Sequence, residues 1–147
     1  MAKQSGFTLV ELVVLIAILA ILAAVAIPQY ITLTSESRSA VVNGTNGAIN
    51  SAVALAIAKY VAAGNAGSTV TTVNMGPTGG TPVTVNAGSG IPVGTASGIG
   101  AALNNTTGLT VAYTSGAVTF RPSGGSATCQ TSYNGTTGVT TISTGGC

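Results

Sequence analysis

Few side chains in this 147-residue chain could do chemistry: the acids Glu11 and Glu36, the bases Lys3, Arg38, Lys59 and Arg121, and the cysteines Cys129 and Cys147. His and Asp do not occur, and from Tyr60 onward Arg121 is the sole charged side chain. General acid/base catalysis needs a titrating group held against a substrate, so this inventory argues against most enzymes and points to a non-enzymatic chain. Two cysteines without His or Asp make neither a zinc nor a calcium site, and no cofactor is expected. A net charge of +2 spread over four separated cations is no nucleic-acid-binding face, which needs clustered Lys and Arg. The 46% hydrophobic content and near absence of charge argue for a folded domain with a neutral surface, not for disorder.

Glu11 stands out by its setting. Phe7 to Ile27 is apolar except for Thr8 and Glu11, and Leu12 to Ile27 carries no polar side chain. As a helix the run spans about 32 Å, enough to cross a bilayer core. Lys3 ahead of it places the N-terminus on the cytoplasmic side. A secretory signal peptide cleaved after Ala24-Val25-Ala26 and a plain signal anchor both fit the apolarity. Neither explains a carboxylate in the run, which costs about 2.5 to 3.5 kcal/mol if placed centrally in a membrane helix. An intramembrane acid is by default a functional group with a partner. A helix N-terminus also favours an acid, which is the plainer account of Glu11.

The order Gly6-Phe7-Thr8-Leu9-Val10-Glu11, then the apolar run and Pro28, resembles the type IV pilin family over Met1 to about Tyr30. The resemblance implies that a leader peptidase cleaves between Gly6 and Phe7 and N-methylates Phe7. It also implies that Glu11 meets the amine of a neighbouring subunit during assembly. Tyr30 to Lys59, with Arg38, Asn43-Gly44 and Gly47-Ala48-Ile49, is similar to the mannose-sensitive haemagglutinin branch of the type IVa major pilins. Pro28 removes a backbone donor and is the expected helix break; by resemblance Ala20 to Pro28 extends in the filament, while a simple membrane-exit kink is the alternative.

These residues need elements to hold them. Val42, Ile49, Val53, Ile57 and Tyr60 recur at helical spacing, so a second, amphipathic helical half is expected, softened by Gly44 and Gly47. Period-2 runs predict strands over Thr69–Met75, Val83–Asn86, Leu109–Tyr113, Ala117–Arg121, Thr128–Tyr133 and Val139–Ser143, and Ala96–Asn104 reads as a short helix. Ser115-Gly116 and Asn134-Gly135 are hairpin turns, the second the stronger type I′ signal. Outside the cytoplasm Cys129 and Cys147 read as a disulfide, with free thiols as the alternative. Its closed loop would contribute roughly 3 kcal/mol in the chain-entropy model. The resemblance supports the same pairing. Asn43, Asn104, Asn105 and Asn134 begin N-x-S/T triplets, a pattern that arises readily in a Thr-rich chain.

The expected fold is α+β and pilin-like: a long N-terminal helix, part transmembrane and part amphipathic, packed on a C-terminal antiparallel sheet. Its parts are a leader (1–6), a transmembrane and polymerisation helix (7–28), an amphipathic helix (29–64) and a β-sheet domain with a C-terminal disulfide loop (65–147). By resemblance the chain is an inner-membrane precursor that polymerises into an extracellular pilus on the bacterial surface. The filament would serve adhesion and surface motility. The implied partners are other copies of the chain, the leader peptidase, an assembly ATPase, an inner-membrane platform and a secretin. A pseudopilin of a type II secretion system shares the N-terminal pattern, although the major secretion pseudopilin binds calcium through acidic loops and this chain has no Asp. A DNA-uptake or electron-carrying filament is the third reading; sparse cations and aromatics weigh against it.

Overall fold

The computed structural model describes residues 6–76 and 80–147, the side chains of 28–32 excepted. The elements are helix α1 (Leu9–Ala62), strands β1 (Thr72–Asn74) and β2 (Pro82–Thr84), a π-helical turn (Ala96–Gly100), and strands β3 (Leu109–Thr114), β4 (Ala117–Pro122), β5 (Gln130–Asn134) and β6 (Thr140–Ser143). The chain divides into two compact units, residues 1–36 and 37–147.

The first unit holds the apolar stretch of α1. Helical backbone passes through Pro28, whose side chain, like that of Tyr30, lies outside the described residues.

In the second unit the amphipathic half of α1 packs on an antiparallel sheet. Val42, Ile49, Val53, Ala56 and Tyr60 fall on one helix face and are buried. Ile49, Val53 and Tyr60 join Val73, Val83, Val85, Ile99, Val118, Phe120 and Tyr133 in one core. Four strands follow in the order β3-β4-β5-β6, while β1 and β2 form a separate pair. The alternation that predicted the strands is visible in β4 and β5, where Val118, Phe120, Thr131 and Tyr133 point inward. Buried Thr131 is satisfied by donating to the Val42 carbonyl at 2.9 Å. Tyr133 donates to the Pro92 carbonyl at 2.6 Å, and burial pushes its phenol up to about 12, so it stays a donor at neutral pH.

Helix α1 stops at a glycine. Gly64 takes φ of 74°, and the Asn65 and Gly64 amides donate to the Tyr60 and Val61 carbonyls, a Schellman termination. Tyr60 then anchors the following loop, donating to the Val70 carbonyl at 3.0 Å and accepting the Gly88 amide at 2.9 Å. Beside it Lys59 places its ammonium among the carbonyls of Asn74, Met75 and Gly76 at 3.3, 2.8 and 3.0 Å.

Two local expectations need correction. The segment Ala96–Asn104 is not an ordinary short helix: its wide turn is interrupted at Gly98 (φ −92°, ψ −110°), where the backbone lies against Val93 and leaves no room for a side chain. The type I′ geometry also sits at the other hairpin. Ser115 and Gly116 both take positive φ, 30° and 85°, between paired Thr114 and Ala117. At Asn134 the side chain instead accepts the amides of Thr136 and Thr137, making an Asx turn, and the positive φ falls on Gly138. Gly135 serves close approach: its amide donates to the Gly116 carbonyl at 2.7 Å, and a Cβ there would collide with the Gly94 backbone.

Gly135 and Gly44 should therefore respond oppositely to alanine. Gly44→Ala enters a helix with open space around it and is expected to raise stability by about 0.5 to 1 kcal/mol. Gly135→Ala forces backbone apart and should lower it by more than about 2 kcal/mol. Thermal unfolding of the detergent-solubilised chain checks both signs.

Candidate assembly site

The candidate site is built on the first turns of α1. Helix formation starts at Leu9, and Thr8 immediately before it acts as the N-cap. The Thr8 hydroxyl accepts the Glu11 amide at 3.3 Å. The Glu11 carboxylate reaches back, with Oε2 accepting the Thr8 amide at 2.9 Å and the Thr8 hydroxyl at 2.8 Å. Thr8-Leu9-Val10-Glu11 is thus a capping box, in which two amide donors without helical partners are satisfied reciprocally. All the capping contacts of the carboxylate fall on Oε2, so Oε1 stays outside the box.

Around this polar clasp everything is apolar and uncovered. Leu9–Ile27 has a mean hydropathy of 3.1, and none of it is buried within the chain. Phe7 is 80% exposed, and even the most covered large side chain of the run, Leu15, is 47% exposed. Phe7, Val10, Glu11, Val14, Leu15 and Ile18 line one shallow depression, so the acid sits at the edge of an apolar face. A helix that is hydrophobic all round belongs in a membrane or inside an assembly.

Residues 1–27 match the family model of the prokaryotic N-terminal methylation motif. That match supports a type IV pilin-like or pseudopilin subunit, made as a membrane-anchored precursor and processed by a leader peptidase. Neither the curated proteins nor the solved structures gave a match.

The expected site residues distribute as follows. Gly6 and Phe7 are exposed ahead of the helix, while Met1–Ser5, the rest of the expected leader, lies outside the described residues. Cys129 and Cys147 form a disulfide with Cα atoms 4.7 Å apart. Arg38 adds a second tie to the same end, donating from Nη1 to the Cys147 carbonyl at 3.1 Å. Sequence reasoning gave Thr8 no role, although Thr-x-x-Glu before an apolar run is the capping-box pattern. The Lys59 and Arg38 contacts had no such signal, because both reach carbonyls distant in sequence.

Thr8→Val removes the capping hydroxyl and should cost about 1 kcal/mol at the helix start. In micelles, hydrogen exchange at the Glu11 amide should then accelerate about fivefold, since that cost is a factor of five in the opening equilibrium. Thr8→Ser should exchange like the native chain, and unchanged exchange in Thr8→Val would show that the cap is not formed.

Proposed function

We propose that this chain is a structural, non-enzymatic protein, the major subunit of a type IVa pilus that polymerises through its apolar helix. The observation that carries the reading is the uncovered apolar stretch Leu9–Ile27, which lies within the methylation-motif match over residues 1–27. In water such a surface costs about 25 cal/mol per Å2, so it must be covered, first by lipid and then by other copies of itself.

Hydrolysis of the Gly6–Phe7 peptide bond releases the leader with a new carboxyl group on Gly6 and an amine on Phe7. Methylation leaves that amine able to carry a positive charge. An ammonium entering an apolar assembly needs a counter-charge, and Glu11 is the sole acid in the apolar run. The capping box holds this carboxylate at the helix edge with Oε1 outside it. A buried ion pair adds little net stability but is costly to break, so it sets the register between neighbours while apolar packing supplies cohesion.

The partners of this reading are further copies of the chain, the leader peptidase, an assembly ATPase, a membrane platform and a secretin. The product is an extracellular filament for adhesion and surface motility. The similarity of Tyr30 to Lys59 to the mannose-sensitive haemagglutinin branch supports a major pilin, and the lack of any acid beyond Glu36 disfavours a calcium-binding pseudopilin.

The test uses Glu11→Ala as the only copy in the cell. The variant should be processed and membrane-inserted, yet yield about tenfold fewer sheared filaments or worse, because an unpaired buried charge costs several kcal/mol. Native filaments should begin at methylated Phe7 by mass. A normal yield from Glu11→Ala, or an N-terminus at Ile27, would contradict the proposal.

A further inference from the structure

The outer face of the sheet β3–β6 carries one charge on a field of neutral polar groups. Alternation places Thr110, Ala112, Thr119, Arg121, Gln130, Ser132, Thr141 and Ser143 there, opposite the buried Val118, Phe120, Thr131 and Tyr133. The register sets Arg121 across from Thr110, and rows such as Ala112-Thr119-Ser132-Thr141 run across the strands.

Arg121 has no acidic partner on this unit, because residues 37–147 contain neither Asp nor Glu. Its Nη2 donates to the neutral Gln130 Oε1 at 3.0 Å, and its Nε is buried without a hydrogen-bond partner among the described residues. The other cations of the unit are engaged elsewhere, Lys59 with three backbone carbonyls and Arg38 with the Cys147 carbonyl. A guanidinium partly stripped of water and held by a neutral amide lacks a counter-charge. Its planar fork matches a carboxylate or sulfate.

We propose that Arg121 anchors a binding site for acidic polysaccharide, its guanidinium pairing with a carboxylate or sulfate while the Thr and Ser hydroxyls and Gln130 meet sugar hydroxyls. The face favours sugar over nucleic acid because it presents no ring for base stacking: Phe120 and Tyr133 are buried, and Tyr113 shares their parity. The inference rests on the filament reading. One Arg contact is weak, whereas a polymer repeating the site gains about 100-fold or more by multivalency.

The experiment measures retention of purified filaments on immobilised heparin, on neutral dextran and on single-stranded DNA, with filaments verified by electron microscopy. Native filaments should bind heparin, release as salt rises, and ignore dextran. Arg121→Gln should weaken heparin retention about tenfold or more, and Arg121→Lys should fall between. Equal retention of Arg121→Gln, or dextran or DNA held as tightly as heparin, would overturn the proposal. If no filaments form, the filament reading fails by itself. The site is then tested on the full chain in micelles, where sulfate should shift the Arg121 Nη–H resonances saturably and chloride should not. The absence of that shift would overturn the site as well.

Discussion

A helix whose apolar surface none of the described residues covers is the constraint on which this protein depends. Leu9–Ile27 can be accommodated by lipid or by like helices. In either setting a charge is tolerated only with compensation. Glu11 has partial compensation at once, from the Thr8 amide and hydroxyl, which neutralises nothing but supplies hydrogen bonds. The full charge remains available for a cation, and processing at Phe7 would supply one.

The second unit follows a different economy, with its charges mostly internalised. Lys59 is held by three carbonyls near the end of β1, and Arg38 by the carbonyl of Cys147, so these cations organise the backbone of their own domain. The disulfide and Arg38 secure the end of the chain, and Tyr60 and Tyr133 pin two loops through buried phenols. In the proposed filament little charge would be left with which subunits could attract one another. Exposed ion pairs typically contribute 0 to about 1 kcal/mol, so cohesion between copies would fall to apolar packing.

Much of this was legible in the residues because it is periodic or local. The period of the buried α1 positions, the alternation in β3 to β6 and the Gly6-Phe7 to Glu11 pattern each lie within one segment. Strand limits shifted by a few residues, as where Thr69–Met75 was expected and β1 covers Thr72–Asn74. What escaped was non-local. The Asn134-Gly135 dipeptide reads as a type I′ turn, yet Gly135 is needed because the Gly94 backbone approaches from another loop. Gly98 is likewise set by its contact with Val93, and Lys59 by carbonyls on the turn after β1. At the site itself, Glu11 was recognisable from its setting, but its contact with Thr8 had to be seen in three dimensions.

The most direct test of apolar cohesion is sedimentation of purified filaments across two series, one of salt and one of detergent. If packing of the Leu9–Ile27 helices holds the polymer, raising ionic strength to about 1 M, where the Debye length is about 3 Å, should leave the filaments in the pellet. A detergent that solvates apolar helices should release subunits to the supernatant. Release by salt alone, with detergent inert, would place the cohesion in the few charged groups and contradict this account.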